Sequence, residues 1–232
     1  MSRQVLITGA SSGIGAATAI ALAARGAHVV LVARRVERLV HISELCAHAG
    51  GSATVFPADV ARASDWAEEA LAKLHAEGEW VLVNNAGAAN FGPLTDQNSE
   101  DISHELQVNL VGPLQLTSAF ARAALTRGGG QVINVLSIAA DNVFPGAAVY
   151  GAGKAGFRQA MRSLAAETRA QGLRVTNVLP GATDTEIWGE GGPDRSMMLT
   201  AEAVAETLVW LIESPKDRTV EELRLTPPLG IL

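Results

Sequence analysis

Hydrophobic positions along the chain follow two alternating patterns. Short β-branched runs predict seven strands, at residues 5–8, 28–33, 53–56, 80–84, 131–136, 174–179 and, more weakly, 222–225. Between them lie Ala- and Leu-rich stretches with helical spacing. Strands that alternate with helices predict a doubly wound, Rossmann-type α/β fold with a parallel sheet. We expect an uninterrupted apolar strand such as 29–32 to be buried on both faces.

Composition narrows the class of protein without naming an activity. The 232 residues are 48% apolar and 18% charged, which predicts a single globular domain over 1–232. A net charge of −6 offers no basic field for nucleic acid or an anionic membrane. The lone Cys46 excludes an internal disulfide framework, and its spacing from His41 and His48 predicts no metal site. Without a long apolar run or a signal peptide, we expect a cytoplasmic protein.

A glycine-rich turn follows the first predicted strand. It reads Thr-Gly-Ala-Ser-Ser-Gly-Ile-Gly over residues 8–15 and leads directly into a helical pattern. Glycines permit positive φ and a close approach of pyrophosphate, which the helix N-terminus would also attract. The spacing differs from the Gly-x-Gly-x-x-Gly fingerprint, so the turn alone could equally be a plain tight turn.

The second predicted strand ends at Ala33 and is followed by Arg34 and Arg35. An NAD-binding protein usually places an acid at this end to bond the ribose 2′-hydroxyl. Guanidinium groups instead suit a 2′-phosphate, which favours NADP(H) over NAD as the cofactor. The alternative is two solvated arginines at a helix start, although cations there oppose the helix dipole.

The only tyrosine of the chain, Tyr150, lies four residues before Lys154. This spacing places both on one face of a helix, where an ammonium would lower the pKa of the phenol towards working pH. An isolated Tyr-x-x-x-Lys is more often a pair of surface residues. Ser137, at the end of a predicted strand, changes that balance, because its hydroxyl could donate to a developing oxyanion. A simple turn cap is the alternative for this serine.

Asn109 lies in a helical pattern that contains Pro113. Proline has no N–H, so it cannot donate to the carbonyl four residues earlier, which is that of Asn109. We expect a kink that frees this carbonyl, although a kink made only for packing is the alternative.

Taken together, these motifs resemble the short-chain dehydrogenase/reductase family in its short, NADP-preferring branch, over about residues 3–225. The markers occur in family order and at family spacing. They are Thr8-Gly9-x-x-x-Gly13-x-Gly15, Asp59-Val60, Asn84-Asn85-Ala86-Gly87, Asn109, Ser137, Tyr150-x-x-x-Lys154 and Pro180-Gly181.

The resemblance implies an NADP(H)-dependent oxidoreductase that moves a hydride between nicotinamide and a carbonyl or secondary alcohol. Ser137 would bond the carbonyl oxygen, Tyr150 would act as acid or base, Lys154 would hold the ribose, and Asn109 would hold a water that links Lys154 to solvent. The residues expected to contact the cofactor are Gly9, Ser11, Ser12, Gly13, Ile14, Gly15, Arg34, Arg35, Asp59, Val60, Asn85, Ala86, Gly87, Tyr150, Lys154, Pro180, Gly181, Thr183 and Thr185.

Other expectations concern substrate and assembly. A Gly-rich stretch at 186–198 predicts a mobile loop over the substrate, and Trp188, Met197, Met198 and Phe144 are candidate walls of the pocket. The resemblance implies a homodimer or homotetramer that acts on a small molecule. Gly153 departs from the family, which more often has serine there. Two alternatives stay open: a dinucleotide sensor without turnover, and an epimerase or dehydratase on the same fold.

Overall fold

Seven parallel strands form one sheet in the computed structural model, which describes residues 3–231. The strands are β1 (Arg3–Thr8), β2 (His28–Ala33), β3 (Ser52–Pro57), β4 (Glu79–Asn84), β5 (Gly130–Val135), β6 (Leu173–Pro180) and β7 (Glu222–Leu225). Their spatial order is β3-β2-β1-β4-β5-β6-β7. The predicted doubly wound α/β fold is confirmed. The bounds of β2 and β7 agree with the prediction, and the other strands differ by one or two residues at one or both ends.

Helices cover both faces of the sheet. They are α1 (Gly13–Ala23), α2 (Val36–His48), α3 (Ala63–Leu71), α4 (Ser99–Leu106), α5 (Gly112–Leu125), α6 (Ala148–Thr168) and α7 (Ala201–Glu213). Apolar residues of α1, α2 and α7 pack on one face, and those of α3, α5 and α6 pack on the other. Val29, Val30, Leu31 and Val32 of β2 are therefore fully buried, as their uninterrupted apolar run predicts.

The topology creates a cleft at the carboxyl ends of β1 and β4. The chain runs outward from β1 to β2 and β3 on one side, and from β4 to β5, β6 and β7 on the other. The connections that leave β1 and β4 therefore diverge. This point of reversal is where open α/β sheets bind their ligands.

The helical stretch around Asn109 is interrupted without ending. A π-helix, Gln107–Val111, joins α4 to α5, and the N–H of Gly112 donates to the carbonyl of Gln107. Pro113 follows within the first turn of α5, where a missing N–H is tolerated. The predicted disturbance of the helix is thus one wide turn, and π turns of this kind are frequent at functional sites.

The stretch after β6 is a folded segment with its own hydrogen bonds. It contains two short 3₁₀ turns, Glu186–Trp188 and Arg195–Met197. The Arg195 guanidinium bonds Asp184 at 2.6 Å and the carbonyls of Thr185 and Gly189. Across the described residues, no helix is both long and apolar enough to cross a membrane.

Candidate active site

A single cavity of about 1030 Å³ opens at the carboxyl edge of the sheet. It extends from the end of β2, past β1 and β4, to the segment that follows β6. Of the site residues predicted from the sequence, all except Gly15 and Asn109 line this cavity. These two lie directly behind its wall, where they support residues that do line it.

The glycine turn is shaped by contacts that exclude side chains. Gly9 adopts φ +68°, and a Cβ there would lie 2.9 Å from the Cα of Ala86 in the β4 connection. A Cβ on Gly15 would overlap the carbonyl oxygen of Gly9. The turn therefore brings bare backbone to the cavity in front of α1. The N-cap residue of α1, Ser12, makes no side-chain cap bond, so the first amides of this helix can serve an anionic ligand.

Arg34 and Arg35 are both exposed, and Arg35 is the one whose side chain hydrogen-bonds this turn among the described residues. Arg35 donates from Nη2 to the hydroxyls of Ser11 at 2.9 Å and Ser12 at 2.7 Å. Its Nη1 donates to the Glu186 carboxylate at 2.6 Å. Two serine hydroxyls and a guanidinium thus converge in front of the helix N-terminus, an arrangement suited to a phosphate.

Side-chain oxygens that accept hydrogen bonds from backbone N–H groups fix the side of the cavity where the adenosine of a dinucleotide is expected. Asp59 caps the short helical turn after β3 through a bond from the Ala61 N–H at 3.0 Å, and Val60 beside it is buried. The Thr8 hydroxyl accepts bonds from the N–H groups of Asn85 and Ala86, at 3.0 and 3.1 Å. These bonds fix the β4 connection against β1.

Ser137 and Tyr150 come together at the end of β5. Ser137 follows that strand, and its Oγ accepts a bond from the N–H of Ala139 at 3.1 Å, so it does cap a turn. Burial raises the pKa of Tyr150 to about 12, the neighbouring Ser137 hydroxyl lowers it in part, and the nearby Glu105 charge raises it further. The protein groups alone therefore keep this phenol protonated.

Lys154 lies one helical turn beyond Tyr150 on α6 and is buried. Its Nζ donates to the carbonyl of Val135 at 3.2 Å and lies 5.6 Å from the centroid of the Tyr150 ring. Burial lowers the pKa of Lys154 to about 8. The ammonium thus faces the cavity at the end of β5, behind the phenol.

Asn109 acts in this structure through its side chain. Its Nδ2 donates to the carbonyl of Ala88 at 2.6 Å, and its Oδ1 accepts from the N–H of Ala88 at 3.3 Å. The π turn directs this buried amide towards the β4 connection. A Cβ on Gly87 would lie 3.3 Å from Asn109 Oδ1 and 3.4 Å from Lys154 Nζ, so backbone, amide and ammonium meet at one point.

The connection after β6 closes the other side of the cavity. Pro180 ends the strand, and the N–H of Gly181 donates to Leu225 of β7 at 2.7 Å. Thr183 forms a bridge with Leu199, and its carbonyl accepts the indole N–H of Trp188 at 2.9 Å. Trp188 and Phe144 line the cavity as expected, whereas Met197 and Met198 do not. Met198 is instead buried away from it.

Sequence reasoning missed three residues of the site. Phe91 lies with its ring centroid 6.1 Å from that of Tyr150 and 5.2 Å from that of Trp188. Glu105 of α4 is buried near Tyr150, and burial raises the pKa of its carboxyl. Glu186 binds Arg35 across the cleft. None of the three carries a local motif, because each acts through a partner that is distant in sequence.

The arrangement supports proton transfer beside a bound anion. A protonated phenol, a second hydroxyl and a buried ammonium lie together at one end of the cavity. The glycine turn, the serine hydroxyls and Arg35 lie at the other. Acid–base groups at one end and a phosphate cradle at the other are what a dinucleotide-dependent reaction requires of its protein.

Comparison with known proteins assigns this architecture to a family. The model of the family described as short chain dehydrogenase matches residues 3–196. Glycine betaine reductase ATRR of Emericella nidulans is 34% identical over 97% of the chain, which spans only 19% of that longer protein. Sepiapterin reductase of Chlorobaculum tepidum is 31% identical and is matched over nearly its full length, with 99% of this chain and 98% of the relative covered.

A solved structure extends the likeness to the fold. The alcohol dehydrogenase from the archaeon Thermococcus sibiricus, complexed with 5-hydroxy-NADP, superposes with a TM-score of 0.88. It is 30% identical, and 97% of each chain is covered. The likeness therefore includes the whole sheet and the connections that form the cleft.

Proposed function

The chain belongs to the short-chain dehydrogenase family and is an oxidoreductase of that family, and from this premise we propose that it is an NADP(H)-dependent carbonyl reductase or alcohol dehydrogenase. The observation that carries the proposal is the meeting of Ser137, Tyr150 and Lys154 at one end of a cavity whose other end is the glycine turn with Arg35. No other arrangement of hydroxyl, phenol and ammonium groups faces this cavity within the described residues.

The residues present fit a nicotinamide dinucleotide with a 2′-phosphate. Side chains at Gly9 and Gly15 would block the backbone that faces the pyrophosphate. Arg35, Ser11 and Ser12 supply donors where the 2′-phosphate would lie, and β2 ends without the acid that would repel it. The related Thermococcus enzyme is complexed with an NADP derivative. We therefore assign NADP(H) as the cofactor, in preference to NAD.

The chemistry divides between cofactor and protein. A bound, reduced nicotinamide would supply the hydride that the carbonyl carbon requires. Tyr150 donates the proton that the carbonyl oxygen needs, so ketone or aldehyde becomes alcohol. Ser137 donates a hydrogen bond to the same oxygen and stabilises the charge that develops there. Lys154 places a positive charge behind Tyr150 that favours loss of its proton, and it can bind the ribose hydroxyls.

Asn109 has a positioning role in this proposal. Its amide fixes Ala88, and with it the adjoining backbone of Gly87, where a Cβ would contact Lys154. We retain the expectation that the Asn109 carbonyl holds a water through which Lys154 regains its proton from solvent. The wide π turn at this residue supports that role, because it displaces the normal helical hydrogen bonds.

The two alternatives are less well supported. A dinucleotide sensor without turnover would not need Ser137, Tyr150 and Lys154 in mutual reach. An epimerase or dehydratase is less well supported because the relatives compared above are named as reductases or as an alcohol dehydrogenase.

Initial rates of NADPH and NADH oxidation with a panel of ketones and aldehydes test the proposal. Wild-type protein should reduce at least one carbonyl and should prefer NADPH. Tyr150→Phe and Ser137→Ala should each lose at least about 100-fold in kcat, consistent with the worth of acid–base and oxyanion groups. Full activity of Tyr150→Phe would exclude this mechanism, and a consistent preference for NADH would exclude the cofactor assignment.

We further expect the enzyme to act on a small molecule, in the cytoplasm, as a homodimer or homotetramer. Light scattering coupled to gel filtration would test the oligomeric state.

A further inference from the structure

Aromatic rings from two separate connections meet at the catalytic end of the cavity. Phe91, from the β4 connection, and Trp188, from the turn after β6, are nearly parallel, with 15° between their planes and 5.2 Å between centroids. Phe91 also presents its ring at 61° to that of Tyr150, 6.1 Å away. Phe144 lines the same region. Flat apolar surfaces therefore adjoin the phenol that would donate the proton.

The two stacked rings are held in place by hydrogen bonds. The indole N–H of Trp188 donates to the carbonyl of Thr183 at 2.9 Å, which fixes the orientation of its ring. The connection that carries Phe91 is bonded to the segment before α6, from the N–H of Gly92 to the carbonyl of Gly146 at 2.8 Å. Phe91 nevertheless remains 42% exposed, so part of its surface is free for a ligand. A preorganised aromatic surface costs little ordering entropy when it binds.

Few charged side chains line the same end of the cavity. Among the described lining residues, the charged side chains are Lys154 in the catalytic group and Arg34, Arg35, Asp59 and Glu186 at the adenosine end. His104 is a further ionisable residue among those that line the cavity. A carboxylate or phosphate on the substrate would find no guanidinium or ammonium there beyond Lys154.

Arginines elsewhere in this part of the chain already have acidic partners. Arg158 bonds Glu222 at 2.6 and 2.8 Å and Asp141 at 3.1 Å. Arg195 bonds Asp184 at 2.6 Å and two backbone carbonyls. Binding an anionic substrate through either would break these pairs. The charges therefore favour a neutral substrate.

Resting on the function proposed above, we propose that the Phe91–Trp188 stack is a subsite for a flat aromatic ring, and that the substrate is an uncharged aryl ketone or aromatic aldehyde. In such a compound the ring is bonded directly to the carbonyl carbon. With its oxygen at Tyr150 and Ser137, its ring reaches the neighbouring aromatic surface. A flat ring can pack on another aromatic ring in an offset-stacked or edge-to-face arrangement, and a puckered aliphatic ring of equal size lacks the π-system that favours these geometries.

Calorimetric binding tests the subsite independently of turnover. Acetophenone should bind wild-type protein about tenfold more tightly than cyclohexyl methyl ketone, with or without NADP present. Trp188→Leu and Phe91→Leu should each abolish most of this preference. Trp188→Phe, which keeps a flat ring, should retain it. Trp210→Leu is the matched control, because Trp210 is an exposed tryptophan on α7 outside the cavity. Equal affinity for the two ketones would overturn the proposal.

Turnover gives the second readout. Relative to wild type, Trp188→Leu should lower kcat/KM about tenfold more for benzaldehyde than for propanal, which has no ring. In wild type, 4-formylbenzoate should be at least about tenfold poorer than 4-methylbenzaldehyde. Equal losses for benzaldehyde and propanal, or a preference for the carboxylate, would count against the subsite while the proposed reductase activity stands. If no carbonyl were reduced with either cofactor, the proposed function would fail, and the calorimetry would still decide on the subsite.

Discussion

Glu186 and Arg35 form an ion pair across the mouth of the cleft, with 2.6 Å between Oε2 and Nη1. Arg38 of α2 binds the other oxygen of the same carboxylate. Glu186 begins the 3₁₀ turn that ends at Trp188, so this turn touches the proposed phosphate subsite at one end and the aromatic stack at the other. A 2′-phosphate would compete with Glu186 for the Arg35 guanidinium.

Replacing Glu186 by glutamine should therefore improve binding of NADPH selectively. In this variant Arg35 and Arg38 lose the carboxylate that competes with the 2′-phosphate. An exposed ion pair of this kind contributes up to about 1 kcal/mol. The expected result is a two- to fivefold lower KM for NADPH with an unchanged KM for NADH, measured by initial rates with one carbonyl substrate.

Glu190→Gln is the matched control, because Glu190 is an exposed acid in the same segment, without a side-chain hydrogen bond among the described residues. Its KM values should equal those of wild type. If Glu186→Gln changed the KM for NADPH and the KM for NADH by the same factor, the carboxylate would act on the conformation of the segment around it and not on binding of the 2′-phosphate. Arg35 and Arg38 hold the pKa of Glu186 near 2, so the effect should be constant between about pH 5 and 8.

Tyr150 can be titrated without interference, because it is the only tyrosine in the chain. Burial raises its pKa to about 12 in the protein alone, so ultraviolet absorbance should show no phenolate at pH 10, where a free tyrosine is half ionised. Adding NADP⁺ should move the transition to lower pH, since a positive nicotinamide favours the phenolate. A transition near 10 that does not respond to cofactor would contradict the proposed role of the tyrosine.

The patterns with local spacing could be predicted from the sequence. The bounds of β2 and β7 were predicted to the residue, because each strand is a short segment that follows a turn or loop and ends before a polar residue. The pair Tyr150 and Lys154 was predictable because helical spacing alone places them together. The glycine turn was predictable as bare backbone in front of a helix, although its spacing alone did not distinguish a cofactor cradle from a plain tight turn.

The contacts that depend on chain topology were not predictable. Arg35 and Glu186 are 151 positions apart, and Phe91 and Trp188 belong to different connections of the sheet. No periodicity relates such residues, and their contact depends on the path of each loop and on the rotamers chosen. Around Asn109, the position of Pro113 predicted a disturbed helix. Whether a helix responds with a kink or a wide turn depends on packing against α6, which the sequence does not state.

Replacing Lys154 by methionine should abolish activity and change how stability depends on pH. Burial lowers the Lys154 pKa from 10.5 to about 8, so the folded state disfavours the charged form. Below about pH 8 the buried Lys154 ammonium destabilises the wild-type protein by the full cost of its burial, of order 3 kcal/mol. Between pH 8 and 10.5 the unfolded chain binds the proton more tightly than the folded one, so the wild type gains relative stability as pH rises.

Urea unfolding at pH 7, 8, 9 and 10 measures this difference. The stability of wild type relative to Lys154→Met should rise by about 2 to 3 kcal/mol across the series. Taking the difference between the two proteins removes the contribution of Tyr150, which is common to both. A constant difference would mean that Lys154 keeps an ordinary pKa in the folded protein.

The two glycines that flank Lys154 on α6 should respond oppositely to alanine. A Cβ on Gly156 would lie 3.4 Å from Leu110 Cδ1, an ordinary contact, so Gly156→Ala should gain up to about 1 kcal/mol from helix propensity with unchanged kcat. A Cβ on Gly153 would lie 3.0 Å from the Cβ of Asn109, which cannot retreat freely because its amide is bonded to Ala88. Gly153→Ala should therefore gain no stability and should lower kcat, as Asn109 and Ala88 shift. Urea unfolding and initial rates of both variants compare the two effects. If Gly153→Ala were as stabilising as Gly156→Ala and kept full kcat, the contact between α6 and the π turn would not position Lys154.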